Sequence, residues 1–337
     1  MNKTEQGVQY QRKLTRSLIH ILSFLIFCIV HPTSAETSAA TTQQNNNTQK
    51  NHVFIIFSAD NTLHSDIIQK LSDDIRLKLP GIIISKVTPE DKIPQLNSST
   101  DLIIAIGAKG MQSANKHYPE TNKLFISTDP KKFRLDTNKN KGDAILYMTQ
   151  SYCRQLQFIK QLNTKWKTIS ILSSRENPVD STTIQQCSNR YDIKVIIEST
   201  DTEENLTNNI RQALKHSDVL LALPDSNIYN SKSVKNILLT SYRYRKPVIA
   251  FSRNFVNAGA LASIHSSIEQ VSHSASILIQ QYFMQDQYFE NSVNYPQSFD
   301  ISINRQVFKA LNLSLPDTEK LKQSLLPAEK EESGEQQ

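Results

Sequence analysis

The sequence predicts an α/β protein of two doubly wound, three-layer lobes joined by a hinge. Three observations point there. Short unbroken apolar runs, such as residues 53–57, 102–106 and 219–223, each stop at polar residues, as parallel strands covered on both faces do. The stretches between them carry apolar residues at helical spacing with charge elsewhere, the stripe of an amphipathic helix laid on a sheet. Around residues 144–148 the alternation begins again, so the 337 residues hold two β/α series, each of about a hundred residues, an ordinary domain size.

The first residues read as an address. Arg12, Lys13 and Arg16 precede an apolar run over residues 18–30, and Thr33 and Ala35 supply small residues at the −3 and −1 positions. This is the pattern of a secretory signal over residues 1–35, cut before Glu36, and it implies a periplasmic or otherwise extracytoplasmic protein. The run is short for a membrane span, which places an uncleaved anchor second. Bulky Phe27 ahead of Cys28 argues against lipid attachment. Residues 36–51 are polar and nearly free of large apolar groups, a flexible leader. The signal holds a net +3 of the chain's +6, so the rest is nearly balanced and supports no nucleic-acid partner.

The first lobe is expected over residues 52–146. A strand at 53–57 exits through Ser58 and Asn61, and the next helix sets Ile67, Ile68, Leu71 and Ile75 on one face before stopping near Pro80-Gly81. Strands follow at 81–87, 102–106 and 124–127. Gly107 at the third exit permits a tight turn, and Thr128-Asp129-Pro130 closes the fourth. No Gly-x-Gly-x-x-Gly or Gly-x-x-x-x-Gly-Lys-Ser/Thr pattern exists, so a nucleotide site is not supported and no cofactor is implied. Lys131-Lys132-Phe133-Arg134 reads as a solvated loop.

The second lobe is expected over residues 147–264. Its helices carry Tyr152, Leu156 and Ile159; Ile184 and Cys187; Leu206, Ile210, Ala213 and Leu214; and Val234, Ile237, Leu238 and Tyr242. Between them lie strands at 168–172, 193–197, 219–223 and 248–251. Tyr242 to Arg245 alternate aromatic and basic side chains, read as core and rim, and Trp166 as packing near a strand start. Cys153 and Cys187 fall in two helices of one lobe. An oxidising compartment allows a disulfide between them, and two buried small apolar side chains are the alternative. A further helix starts at Ser267 with Ile268, Val271, Ala275, Leu278 and Tyr282 in period, and His265 and His273 are read as sharing a helix face. Residues 291–316 form a segment packed on the lobes, with a strand at 301–303 and a short helix carrying Val307, Ala310 and Leu311. The charged stretch 317–337 is expected to lack order.

Several runs, in this order, resemble the extracytoplasmic substrate-binding proteins of ABC transporters with the type I periplasmic-binding fold, in the branch that includes tryptophan- and tyrosine-type binders. They are DLIIAIG from Asp101, LPDSN from Leu223, KPVIAF from Lys246, GALA from Gly259 and INRQVFKAL from Ile303. The resemblance implies that the lobes are discontinuous, with residues from about 265 to 290 completing the first. It implies a small amino-acid-like, polar or aromatic ligand held between lobes, an ABC-type permease as partner, a monomer, and no enzymatic activity. Two departures matter. The strand-exit glycine is followed by Ala108-Lys109 where the family has threonine and proline, so a hydroxyl that would contact a ligand carboxylate is missing, and Lys109 offers a charge instead. Val271-Ser272-His273 replace a glycine common after GALA.

Loops leaving the carboxyl ends of parallel strands form the ligand crevice. The candidate ligand-binding residues are therefore Ser58, Asn61, Lys109, Thr128, Ser174, Asn177, Asp225, Asn227 and Ser252. Asp225, matched to the family, implies contact with a ligand amine or hydroxyl, while Asp225 and Asn227 read alone serve equally as helix caps. No third metal ligand accompanies the histidines. Hydrolase signatures are missing, and the signal occupies the place of a DNA-reading helix pair. Loss of the hydroxyl beside Gly107 motivates an alternative function, a transport-independent envelope protein using the same fold to dock or sense a protein partner.

Overall fold

The computed structural model describes residues 51–58, 62–93, 96–97, 100–127, 142–200 and 203–325. The signal, the leader up to residue 50, Asn61, Thr128, the basic run at 131–134 and the tail from residue 326 lie outside the described residues.

The first lobe is one sheet in the order β2-β1-β3-β4-β5-β11, every neighbouring pair parallel. Its strands are β1 (His52–Phe57), β2 (Ile83–Val87), β3 (Asp101–Ile106), β4 (Lys123–Ser127), β5 (Ala144–Tyr147) and the late β11 (Val293–Asn294). Alternate side chains go to opposite faces, as the two-residue strand period requires. Val53, Ile55, Leu102 and Ile104 join a core under α1 (Thr62–Lys78), where Ile67, Ile68, Leu71 and Ile75 are all buried. Phe54, Ile56, Ile103 and Ala105 join Met111 and Ala114 of α2 (Gly107–His117) on the other face. β2 is an edge strand, partly exposed along its length.

The second lobe repeats the order as β7-β6-β8-β9-β10-β12. It contains β6 (Thr168–Ser173), β7 (Lys194–Ser199), β8 (Val219–Leu221), β9 (Val248–Ala250), β10 (Ala262–His265) and β12 (Asp300–Ile303). Only β12 runs antiparallel, pairing Ile301 with Ile264. α3 (Tyr152–Leu162) and α4 (Ser181–Tyr191) cover one face with Ile169 and Ile171. α5 (Glu203–His216), α6 (Val234–Arg243) and α7 (Arg253–Asn257) cover the other with Leu220 and Ala222. A disulfide joins Cys153 of α3 to Cys187 of α4, with α-carbons 4.7 Å apart. Trp166 is buried in that core.

α8 (Ile268–Met284) starts at a capping box, with Ser267 Oγ and the Gln270 side chain each accepting from the other residue's backbone N–H. It carries the chain back to the first lobe and lies along α1. Ser272, Ala275 and Ser276 are fully buried there. Small side chains let the two helix backbones approach, so Ser272 Oγ reaches the Ile67 carbonyl at 3.3 Å and Lys78 Nζ donates to Ser276 Oγ at 2.6 Å. α9 (Arg305–Ala310) buries Phe308.

Three expectations are corrected. Residues 262–265 form strand β10. His265 therefore lies on a strand and His273 on a helix, and the two share no helix face. Tyr242 is 64% exposed rather than core. The stretch from 317 is not without order throughout: α10 (Thr318–Leu325) buries Leu321 and Leu325 against α3, where Ser324 Oγ donates to Gln161 Oε1 at 2.6 Å. Its charged composition hid two leucines at i and i+4, enough to hold a short helix on an existing core.

Candidate functional site

In each sheet the strand order reverses once, between β1 and β3 and between β6 and β8. The exit loops diverge at such a point and open a crevice. At the β6/β8 reversal the structure brings together Ser174, Asn177, Asp225 and Asn227. Asp225 is 6% exposed. Its Oδ2 accepts from the Ser174 N–H at 3.1 Å, and its Oδ1 from the Asn227 N–H at 3.0 Å. Asn177 Nδ2 donates to the Pro224 carbonyl at 2.8 Å, and Ser174 Oγ accepts from the Asn177 N–H at 3.1 Å. The four residues thus tie the β6 loop to the β8 loop. Asp225 holds the crevice floor in shape and caps no regular helix, although its backbone carbonyl accepts from Ile228 and Tyr229 in a single turn.

Against this floor lies a cavity of about 90 Å³. Tyr147 and Thr149 reach it from the end of β5, Tyr295 from beyond β11, and Tyr152 from the first residue of α3. The Tyr147 and Tyr295 rings sit 5.0 Å apart at 46°. Asp180 stands opposite as the N-cap of α4; its Oδ1 accepts from the Thr182 and Thr183 N–H groups. Burial pushes the Tyr152 phenol above its ordinary value, an effect the Asp180 charge reinforces and a hydrogen bond from the Asp180 N–H opposes. None of the described residues lining the cavity is basic.

The chain crosses between the sheets after β5, after β10 and after β11. One clasp ties the three crossings. Gln150 Nε2 donates to Ser266 Oγ at 2.6 Å, and Ser266 Oγ donates to the Ser298 carbonyl at 2.9 Å. Fully buried Arg154 donates to Gln150 Oε1 and to the Pro296 carbonyl, with its guanidinium 4.9 Å from the Phe299 ring centre. The cavity therefore borders the segments about which two lobes would turn.

The remaining predicted residues are elsewhere. Ser58 is half-buried at the β1 exit, and Lys109 is exposed in the first turn of α2; neither lines the cavity. Ser252 caps α7 by accepting from the Phe255 N–H at 3.3 Å. It borders a separate apolar groove of about 740 Å³ with Tyr229, Leu238 and Phe251. Sequence reasoning missed Tyr147, Thr149, Gln150, Asp180 and Tyr295. Thr149 and Gln150 follow a strand end, so the strand-exit rule could have found them. The tyrosines reach the cavity only through the crossings, which no local periodicity records. Among the described residues no group of histidines, cysteines and carboxylates could hold a metal ion, and no helix is long and apolar enough to cross a membrane.

No curated protein matches the sequence. Solved structures do match in fold. A ligand-free, open substrate-binding protein with adhesive properties from Clostridium difficile is 18% identical at a TM-score of 0.59, covering 80% of this chain and 97% of its own. A conserved domain protein from Vibrio cholerae is 16% identical at 0.54, covering 81% and 98%. An ABC domain from Streptococcus pneumonia in complex with L-Trp is 14% identical at 0.52, covering 80% and 98%. These likenesses establish the type I periplasmic-binding fold that the resemblance implied. The model of the ABC transporter substrate binding protein family matches residues 92–323, more than half of the chain, and the protein belongs to that family of non-enzymatic binding proteins.

Proposed function

We propose that this protein is an exported solute-binding component that captures a small metabolite between its lobes and delivers it to an ABC-type permease, acting as a monomer. The observation that carries this reading is the cavity itself. It sits where the β6/β8 reversal of one sheet meets residues leaving β5 and β11 of the other. At about 90 Å³ it is well below the roughly 300–1,000 Å³ of sites that enclose drug-sized ligands. A compact ligand or a lobe rotation about the clasp is needed to fill it. Export through the residue 1–35 signal, with the mature chain starting at Glu36, is part of the proposal.

The test is a thermal-shift screen of residues 36–337 against amino acids, amines, nucleosides, sugars and short peptides. A ligand at a hundred times its dissociation constant adds about 2.7 kcal/mol of stability. A selective shift that Tyr295→Leu weakens is the expected result; silence across the panel from a folded sample overturns the reading. One observation favours the docking alternative. Leu239 and Tyr242 are 47% and 64% exposed on α6 beside the apolar groove, a surface of the kind proteins use for contact. Crosslinking of the ligand-free protein to an envelope partner, lost with Tyr242→Ser, would support it.

A further inference from the structure

From the make-up of the cavity we infer a ligand class: a compact cation, such as a protonated or quaternary amine, without a carboxylate. The inference rests on reading the cavity as the ligand site. Its described lining includes two carboxylates, Asp180 and Asp225, three tyrosines, Tyr147, Tyr152 and Tyr295, and no lysine, arginine or histidine. A zwitterionic amino acid needs a cation or a set of free donors for its carboxylate, since a buried charge without a partner is expelled. Here the backbone and amide donors of the floor are engaged by the protein itself, and the lining tyrosine and threonine hydroxyls carry no positive charge to balance a carboxylate. The backbone N–H groups of Ser174 and Asn227 go to Asp225, those of Thr182 and Thr183 go to Asp180, and the Asn177 amide goes to Pro224.

Arg154 is fully buried behind the cavity, donating to Gln150 and Pro296 and standing over Phe299. Lys109 is outside the lining. A cation, by contrast, finds all it needs. An ionised carboxylate offers about four acceptor positions across its two oxygens. Asp225 spends two on backbone donors and keeps capacity for an ammonium. The Tyr147 and Tyr295 rings, 5.0 Å apart, add electron-rich surface that attracts alkylammonium groups. The small volume favours a short or single-ring body.

The experiment is isothermal titration of residues 36–337 with matched sets that hold the body constant and change the charge. One set is tyramine, tyrosine and 3-(4-hydroxyphenyl)propionate; the other is choline, betaine and 3,3-dimethylbutanol. In at least one set the amine or ammonium member is expected to bind ten-fold or more tightly than its carboxylate-bearing and neutral counterparts. Asp180→Asn keeps an oxygen to cap α4 and removes the charge. It should weaken that member at least ten-fold while leaving the unfolding curve of the free protein in place. A carboxylate-bearing member that binds as tightly as its amine, or amine binding indifferent to Asp180→Asn, overturns the ligand class and leaves the cleft reading standing if Tyr295→Leu still abolishes binding. Binding that neither Asp180→Asn nor Tyr295→Leu alters, or no binding in the matched sets or the wider screen, overturns both.

Discussion

Lys123 begins β4 with its side chain fully buried, and three oxygens surround its ammonium. Nζ donates to the Thr121 carbonyl at 2.7 Å, the Pro119 carbonyl at 3.2 Å and Asp143 Oδ2 at 3.4 Å. Burial lowers the Lys123 pKa, and the Asp143 carboxylate opposes the shift. Removing one partner of such a pair strands the other, whereas replacing both charges with apolar volume does not. Asp143→Asn and Lys123→Met should therefore each cost about 3–5 kcal/mol in urea unfolding, while the double replacement Lys123→Met/Asp143→Leu should be nearly neutral or stabilising. A double variant that loses as much as either single one would mean the pair is net stabilising and not merely compensated. His265 offers a second test at this scale. Burial lowers its pKa below the ordinary 6.5, Asp300 opposes this and Arg253 adds to it. The folded state thus holds the neutral imidazole, and the unfolded chain binds the proton more readily. The contribution of His265 is complete above pH 6.5 and is lost as pH falls through the lowered folded value. His52, also lowered by burial, acts in the same direction. Urea midpoints measured from pH 7.5 to 5 should fall, and His265→Gln should flatten the decline; an unchanged slope would remove His265 from the account.

At the scale of elements, the disulfide fastens α3 to α4 on one face of the second sheet, closing a loop with a sequence separation of 34. Chain-entropy reasoning gives about 3–4 kcal/mol for such a loop. The Cys153→Ser/Cys187→Ser double variant should lose that much in denaturant unfolding, and a loss below 1 kcal/mol would place the stabilisation in packing alone. Other elements show what the sequence could and could not reveal. Ile67, Ile68, Leu71 and Ile75 repeat at helical spacing and all are buried, because a helix on a sheet has one continuous apolar face. β10 was illegible. Ala262, Ser263, Ile264 and His265 include two polar residues, and Ser263 is fully buried only because β9 and β12 flank it. α6 misled in the other direction. Tyr242 falls on the apolar stripe by spacing, yet it lies near the helix end beside the open apolar groove with Leu238 and Leu239, and stands exposed. Within the candidate site, Ser174, Asn177, Asp225 and Asn227 were legible as strand exits. Asp180 and Tyr295 were not, because one lies beyond the strand exit at the start of the next helix and the other lies on a crossing whose destination is a tertiary fact.

For the molecule as a whole, the clasp is the joint through which any rotation of one sheet relative to the other must pass. Gln150 is its centre, accepting from buried Arg154 and donating to Ser266, which continues to Ser298. Segments with few apolar contacts and many polar ones exchange their amides by local opening, so hydrogen bonds rather than packing set the stiffness here. Gln150→Ala removes both side-chain links and leaves the guanidinium of Arg154 one acceptor poorer. A hydrogen bond to a charged group contributes about 1.5–3 kcal/mol, and the global unfolding free energy should fall by that amount. The diagnostic effect is local. Amides at 148–151, 266–267 and 295–299 should exchange faster, while those of β1, β3, β6 and β8 keep the protection of their buried ladders. If a cleft ligand draws the lobes together, its binding should restore slow exchange at the crossings in the native protein and less so in Gln150→Ala. Faster exchange spread evenly over both sheets would instead make Gln150 a global stabiliser with no bearing on lobe movement.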